Sequence, residues 1–199
     1  MIVDPSALSH RDRYQWMIAS IVPRPIALVS TISPEGIVNL APFSYFTGIS
    51  STPPIVAIAV GAGRNGRKDT ARNLELTKEM VVNVVTEELS KPMVLTSGDW
   101  PPERSEFDVA GLHPIPCDLV RPPRVAESPL AMECKVTQIV SVGPDPTDLV
   151  LGEIVRIHAK EEILTHGLPD PRKLRPLARL GGDLYARLGE TMDLPRPKS

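Results

Sequence analysis

The sequence predicts a mainly β protein, either a β-barrel with peripheral helices or another β-rich α+β fold. Short β-branched, apolar runs recur along the chain, separated by turns that contain proline or glycine. The helical patterns between them are few and short, and they do not supply the repeating strand–helix–strand units of a parallel sheet. Two long runs near the C-terminus follow each other across a turn-rich link, as expected for a hairpin.

Composition limits the classes of partner. The chain has 199 residues, enough to bury a core, and we expect residues 1–199 to form a single domain. A formal net charge of −2 leaves no basic surplus for a nucleic-acid backbone or an anionic membrane. The N-terminus lacks a signal-peptide pattern, and no apolar run approaches the roughly 20 residues that span a bilayer. We therefore expect a cytoplasmic protein with a small soluble ligand.

The N-terminal half begins with a helical stretch in RDRYQWMIAS, followed by prolines that stiffen the entry to the strand IALVSTI. The turn SPEG then reverses the chain into IVNLA, which predicts a hairpin. The run PPIVAIAVG predicts a strand buried on both faces. After the loop GAGRNGRK comes a short helix in DTARNLELTKE, with Asp69 and Thr70 as candidate N-caps.

The C-terminal half predicts a strand in MVVNVVT and a short helix in EELSKPMVLTS. Between Gly98 and Pro123 the sequence is rich in proline, and we expect a long surface excursion around Trp100 and Phe107. The runs LAMECKVTQIVSV and DLVLGEIVRIHAKEEI predict two long strands joined by GPDPTD. The two cysteines, Cys117 and Cys134, have no CxxC spacing and are expected to be small buried residues.

The first candidate site is the glycine loop after the buried strand. Gly61, Gly63 and Gly66 match the GxGxxG dinucleotide fingerprint, but the chain lacks the surrounding βαβ units, which argues against a Rossmann site. Two interpretations stay open. One is an anion site at a helix N-terminus, and the other is a solvated basic loop in which Asp69 only caps the helix. The side chains available to an anion are Arg64, Arg67, Lys68, Thr70, Arg72 and Asn73.

The second candidate site is the segment NLAPFSYF. Because proline has no N–H, Pro42 is expected to interrupt the strand ladder and free nearby backbone groups for a planar heterocycle. Ser44 offers a donor and an acceptor, while Phe43 and Phe46 offer flat apolar walls. The alternative is a bulged edge strand whose aromatic side chains pack into the core.

The four histidines have no metal-ligand spacing, and the chain contains neither HExxH nor GxSxG. His158 stands on the polar face of the last long strand, where a surface role is expected. The residues therefore nominate no catalytic acid or base and no metal site.

Taken in order, the motifs resemble the flavin reductase-like proteins of the FMN-binding split-barrel fold, a group that includes flavoredoxins. The resemblance covers nearly the whole chain, through RPIALVST, NLAPFSYF, RKDTARN, EFDVAGL, ESPLAMECKV, LGEIVRIH and RLGGDLY. It implies an antiparallel six-stranded barrel with peripheral helices. It also implies a homodimer that holds FMN noncovalently near the subunit interface.

The resemblance also implies cofactor contacts, position by position. Along the isoalloxazine ring it places Asn39, Ala41, Pro42, Phe43 and Ser44, offering mainly main-chain groups. At the ribityl phosphate it places Thr31, Arg67, Lys68, Thr70 and Asn73. Arg179 and Tyr185 of RLGGDLY are expected to border the flavin or the dimer contact, or to serve packing, and His158 to face the substrate side.

The activity implied is that of an FMN-dependent oxidoreductase that uses NADH or NADPH to reduce free flavin or a flavin-linked acceptor, with a flavin-dependent enzyme as a possible partner. Flavin carries the redox chemistry in such proteins, and the chain supplies binding and orientation. Two alternatives stay open: a flavoredoxin-type electron carrier without its own nicotinamide turnover, and a non-enzymatic ligand-binding barrel.

Overall fold

The computed structural model describes residues 1–63, 66–101, 104–144 and 147–197. Arg64 of the glycine loop, and Asp145 and Pro146 of the GPDPTD link, lie outside these ranges. The helices are α1 (His10–Ser20), α2 (Asp69–Thr77), α3 (Ser90–Leu95), α4 (Glu106–Ala110) and α5 (Pro171–Leu174), with 3₁₀ turns at Pro5–Ala7 and Glu161–Ile163. The strands are β1 (Arg24–Pro25), β2 (Ala27–Ile32), β3 (Val38–Phe43), β4 (Phe46–Ser51), β5 (Pro54–Val60), β6 (Glu79–Val84), β7 (Pro114–Ile115), β8 (Arg124–Val125), β9 (Leu130–Val142), β10 (Thr147–Ala159), β11 (Leu164–Thr165), β12 (Leu168–Pro169), β13 (Leu177–Arg179) and β14 (Tyr185–Arg187).

A large antiparallel sheet dominates the fold. Its strand order is β3-β2-β6-β9-β10-β5-β4, and every neighbouring pair runs antiparallel. This confirms the mainly β architecture, with seven strands in the main sheet instead of the six that the resemblance implied. A separate three-stranded sheet joins β1 to the C-terminal hairpin of β13 and β14. An antiparallel sheet also lacks the parallel crossovers that a Rossmann site requires.

Among the described residues, buried apolar side chains form two large cores on opposite faces of the sheet and a small third cluster of Val81, Val120 and Ala131. The first core contains Val29, Ile58, Val82 and Val150, and Leu74 of α2 packs into it. The second core lies on the opposite face of β2, because alternate residues of a strand point to opposite sides. Its members are Ile26, Leu28, Leu40, Val85, Leu89, Met93, Phe107, Leu112, Val125 and Leu177.

The expectation that Phe107 lies on a surface excursion was wrong. Its side chain is only 1% exposed and belongs to the second core. Ser105 caps α4 by accepting the Phe107 N–H at 3.3 Å, and Gly111 ends the helix with φ of +65°. The proline-rich segment thus returns a large aromatic ring to the outer face of the sheet, where the removal of apolar surface from water stabilises it.

The expected interruption of the ladder at Pro42 was also wrong, because β3 continues to Phe43 and Leu28 pairs with Pro42. The reason is that β3 is an edge strand. The N–H of Leu40 points away from β2 and donates to Glu106 Oε2 at 2.9 Å. The backbone N–H positions of residues two apart in a strand face the same side. The nitrogen of Pro42 therefore also faces away from β2, and the missing N–H removes no bond from the ladder.

Both cysteines are free thiols, with Cys134 buried and Cys117 half-buried, in agreement with the sequence. Burial raises the pKa of Cys134 to about 12 and that of Cys117 to about 11. Across the described ranges, no helix combines the length and apolar character needed to cross a bilayer.

Candidate functional site

The two candidate segments of the sequence meet at one cleft of about 340 Å³ beside the N-terminus of α2. The outer edge of β3 forms one side, the glycine loop and the first turn of α2 form a second, and the segment after α3 forms a third. The cleft is lined by Asn39, Ala41, Pro42, Gly63, Gly66, Arg67, Lys68, Asp69, Thr70, Arg72, Thr96, Ser97, Gly98, Asp99, Trp100 and Glu106.

A buried hydrogen-bond network joins the β2–β3 hairpin to α2. Asn39 Nδ2 donates to Thr70 Oγ1 at 3.0 Å and to Thr31 Oγ1 at 3.3 Å. Asn73 Nδ2 donates to the same Thr31 oxygen at 3.0 Å. All four side chains are buried, so these bonds compensate for the desolvation of their polar groups. Asn39 and Thr70 line the cleft. Thr31 and Asn73 do not line it, but their hydrogen bonds join the residues around it.

The N-terminus of α2 points its first amides toward the cleft without a side-chain cap from its N-cap residue. The N-cap is Lys68, whose side chain makes no capping hydrogen bond, so the expected caps Asp69 and Thr70 were one or two positions too late. Asp69 instead forms an ion pair with Arg72. Thr70 Oγ1 accepts from Asn39 and keeps its own proton for donation. Free amides and the helix dipole together favour an anion at this end.

The glycine loop allows a close approach to this helix terminus. The Gly63 N–H donates to the Gly66 carbonyl at 2.8 Å, and Gly66 has φ of +110°. A Cβ on Gly63 would lie 2.9 Å from the Gly66 oxygen, closer than packed atoms allow. The GxGxxG spacing therefore serves a tight loop in an antiparallel protein.

Lys68 and Arg67 have different surroundings. The Lys68 ammonium lies 5.5 Å from the centroid of the Phe43 ring, and partial desolvation lowers its pKa, with Asp99 opposing the shift. Arg67 forms an ion pair with Glu75 and a second with Asp148 at 2.9 Å. Lys68 is thus the cation that the cleft presents most directly, while Arg67 also ties the loop to β10.

Phe43, Ser44 and Phe46 do not line the cleft. Phe43 is 5% exposed and belongs to the first core, and Phe46 packs against the same core. The alternative interpretation, an edge strand with its aromatic side chains in the core, describes both rings. Ser44 Oγ accepts from Arg24 Nε at 3.3 Å.

Residues 96–100 and Glu106 form the third side of the cleft, which the sequence patterns did not predict. Trp100 Nε1 donates to the Leu95 carbonyl at 2.9 Å, which places the indole beside Gly98. A Cβ on Gly98 would lie 2.8 Å from that indole nitrogen, so the contact requires glycine. The sequence signal for this contact is Gly98 two residues before Trp100, because a residue without a side chain leaves room for the indole. Burial raises the pKa of Glu106, while the hydrogen bond from the Leu40 amide opposes the shift.

His158 belongs to a different cluster, which includes the buried Glu133 and the exposed Asp118. Glu133 accepts three backbone N–H groups, from Asp118 at 2.9 Å, Leu119 at 2.6 Å and Val120 at 3.1 Å. His158 Nε2 lies 2.5 Å from Glu133 Oε1. These four contacts use the acceptor positions of the carboxylate, so the cluster anchors the loop of residues 118–120 to the sheet.

The C-terminal segment RLGGDLY forms the turn between β13 and β14. The Arg179 guanidinium lies 4.5 Å from the centroid of the Tyr185 ring and hydrogen-bonds both the Tyr185 hydroxyl and the Gly182 carbonyl. Tyr185 also packs against the second core. These contacts give the two side chains a packing role within the chain.

Comparison with known proteins places this fold and cleft in context. A model of the family described as flavin reductase like domain matches residues 19–178. Nitrilotriacetate monooxygenase component B from Bacillus cereus is 34% identical, with a TM-score of 0.94 and coverage of 98% of both chains. The 2-nitrobenzoate 2-nitroreductase NbaA from Pseudomonas fluorescens is 32% identical, with a TM-score of 0.90 and coverage of 99% of this chain and 96% of its own. A split barrel domain from Shewanella frigidimarina, 24% identical with a TM-score of 0.86 over 97% of this chain and 96% of its own, confirms the split-barrel fold.

The Glu133 cluster generates a prediction for stability. Burial alone would raise the pKa of Glu133, but His158 and the amides of Asp118 and Leu119 outweigh it and lower the pKa. A lowered folded-state pKa contributes stability above the unfolded pKa of about 4.3, and that contribution is lost as pH falls below it. We expect Glu133→Gln to lower the free energy of unfolding by about 1–3 kcal/mol at pH 7.

The difference between wild type and Glu133→Gln should shrink between pH 5 and pH 3, as measured by urea unfolding. The exposed Glu162 supplies the matched control, because Glu162→Gln removes a carboxylate that solvent already surrounds. A Glu133→Gln penalty that stays constant with pH would show that the carboxylate charge does not anchor the loop.

Proposed function

Because this chain belongs to the flavin reductase-like family, we propose that it is an FMN-dependent oxidoreductase that takes reducing equivalents from NADH or NADPH and passes them to free flavin or a flavin-linked acceptor. The observation that carries the proposal is the cleft in which the edge of β3 meets the uncapped N-terminus of α2. A ligand with both an anionic and a planar group would fit this cleft, with the anion at the α2 N-terminus and the planar group against β3.

The helix end of the cleft fits the ribityl phosphate. The amides at the start of α2, the Thr70 hydroxyl and the Lys68 ammonium all offer donors at one place. Gly63 and Gly66 let the backbone approach closely, since neither adds a side chain to the wall. Thr31 and Asn73 would act through Thr70 and Asn39, by holding α2 at its position.

The β3 end fits a flat ring system. Ala41 and Pro42 line this side, and the carbonyl of Pro42 points outward from the edge, as the Leu40 N–H does. That carbonyl would accept a ring N–H. Trp100 and Gly98 lie on another wall of the same cleft and would limit the access of water to the ring. Phe43 and Ser44 would act indirectly, by fixing the end of β3 through the core and Arg24.

Bound flavin would supply the electron-transfer chemistry. The contribution of the chain is to bind the phosphate, to orient the ring against β3 and to shield it. The three carboxylates of the cleft already have partners: Asp69 pairs with Arg72, Glu106 accepts the Leu40 N–H, and Asp99 interacts electrostatically with Lys68. We therefore assign no catalytic acid or base to the chain.

The relatives support a reductase that serves a second reaction. The Bacillus cereus relative is a component of a monooxygenase, and the Pseudomonas fluorescens relative is a nitroreductase. We propose that this chain delivers electrons to a partner enzyme or acceptor in the cytoplasm, and that it acts as a homodimer. Exposed apolar side chains on α1 support a contact surface, with Tyr14 52%, Trp16 46% and Met17 50% exposed.

The first experiment titrates the purified protein with FMN and then measures NADH and NADPH oxidation with excess free flavin. We expect saturable FMN binding and steady turnover with at least one nicotinamide. Tight FMN binding without turnover would identify an electron carrier of the flavoredoxin type. An absence of saturable FMN binding would exclude both roles and favour a barrel for another ligand.

The second experiment tests the phosphate end. Lys68→Ala should weaken FMN binding by roughly tenfold and change riboflavin binding little, because only FMN carries a phosphate. The exposed Lys78, at the opposite end of α2, supplies the control, and Lys78→Ala should leave both affinities unchanged. If Lys68→Ala weakens both ligands equally, Lys68 does not bind the phosphate.

A further inference from the structure

The two edges of the main sheet differ in how they are protected. On the outer edge of β3, Glu106 accepts the Leu40 N–H, and Pro42 has no N–H to expose. At the opposite edge of the sheet, β4 pairs with β5 and with no other strand among the described residues. Residues 47–51 of β4 are all exposed. A free strand edge of this kind is a ready surface for another chain.

The segment around β4 carries no charge. Residues 36–63 contain no Asp, Glu, Lys, Arg or His, in a chain in which 23% of the residues are charged. Charged side chains, lysine above all, are a usual protection of an exposed strand edge, and β4 lacks them. A strand without charge also offers no ion pair by which a strongly acidic or basic partner could be selected.

A β-bulge places an apolar side chain on this edge. The pairing of β4 with β5 shifts its register between Gly48 and Ser50, so no residue of β5 lies opposite Ile49. Ile49 is 56% exposed. Bulges redirect side chains at sheet edges and interrupt the regular ladder. The β4 edge is therefore suited to side-chain packing around Ile49 more than to a long run of backbone pairing.

A buried arginine fixes α1 beside the start of β4. Arg24 donates to the Ile18 carbonyl of α1 at 2.6 Å and to Ser44 Oγ, just before β4, at 3.3 Å. Its guanidinium carbon lies 5.7 Å from the centroid of the Tyr45 ring. Burial raises the pKa of Tyr45, Arg24 opposes the shift, and the nearby Tyr14 of α1 adds to it. The helix and the β4 edge are therefore neighbours.

Three exposed apolar residues form a stripe on α1. Tyr14 is 52%, Met17 50% and Ile21 47% exposed. Residues three or four apart on a helix lie next to each other, so these side chains share one face up to the C-terminal end of α1. Arg24 also hydrogen-bonds the Ile21 carbonyl. The stripe and the β4 edge thus adjoin, and contiguous exposed apolar surface of this kind marks an interaction site.

We propose that the α1 stripe and the β4 edge form one contact surface for a second copy of this chain, with the two β4 strands antiparallel across a two-fold axis. This α1–β4 surface consists of Tyr14, Met17, Ile21 and residues 47–51. A two-fold contact brings each side chain near its own copy or that of a neighbour. Because like charges repel there, an uncharged strand is suited to meet itself. This inference rests on the proposed function, of which the homodimer is a part.

The test measures the dissociation constant of the dimer by sedimentation velocity, on flavin-free and on FMN-saturated protein. Ile49→Lys and Ile49→Glu are measured separately and as an equimolar mixture. Leu168, which is 71% exposed on β12, supplies the matched control pair Leu168→Lys and Leu168→Glu. Urea unfolding confirms that each variant is folded. Thr47→Lys and Thr47→Glu, at an exposed position of the same strand, replace the Ile49 pair if it does not fold.

We expect a wild-type dimer in both states. Ile49→Lys and Ile49→Glu should each raise its dissociation constant by roughly tenfold or more, because each brings like charges together across the axis. The mixture should dimerise roughly tenfold more tightly than either variant alone, since opposite charges then meet. The Leu168 variants should match the wild type, both separately and mixed.

The proposal is overturned if the Ile49 variants dimerise as tightly as the Leu168 variants, or if the mixture dimerises no more tightly than its two components. A wild type that stays monomeric with and without FMN would also overturn it, and would leave the surface to a different protein. These results are separate from a failure of FMN binding. That failure would appear in the FMN titration of the wild type, whereas dimer dissociation in the flavin-free protein is measured without any cofactor.

Discussion

The site depends on two buried asparagines that hold a helix end against a hairpin. Asn39 and Asn73 donate to the hydroxyls of Thr31 and Thr70, and these bonds join β2, β3 and the first turn of α2. Buried amides without partners would cost about 1–3 kcal/mol each, so the arrangement is stable only when the network is complete. The position of the α2 N-terminus is therefore fixed by hydrogen bonds, in addition to the packing of Leu74 in the first core.

This constraint places the first turn of α2 beside the outer edge of β3. With α2 held in place, its first amides face the proposed FMN cleft, and Asp69 and Arg72 line it. The outward edge of β3 faces the same cleft at Pro42, where proline removes no ladder bond. The proposed phosphate site and ring site thus both lie at one junction between a helix and an edge strand.

Local patterns in the sequence predicted the strands of the main sheet except β4, together with the β2–β3 hairpin, α2 and most of the residues near its N-terminus. Pro42 was misjudged because a sequence does not tell an edge strand from a central one, and only an edge strand accepts proline without loss. Phe107 was misjudged because its burial depends on residues distant in the sequence, such as Leu28 and Val85. Residues 96–100 were missed because they form no regular strand or helix pattern, although Gly98 before Trp100 was a local signal. Arg67 likewise pairs with Asp148, which lies 81 residues away and which no local pattern connects to it.

We propose that Asn39 serves the cofactor site by positioning Thr70, and a double-mutant cycle on FMN affinity tests this role most directly. The cycle compares Asn39→Ala, Thr70→Val and the double variant, with urea unfolding to confirm that each is folded. If Asn39 acts through Thr70, the double variant loses less binding free energy than the two single losses together, by about 1 kcal/mol or more. Additive losses in folded variants would contradict the account, because the two side chains would then act on FMN independently.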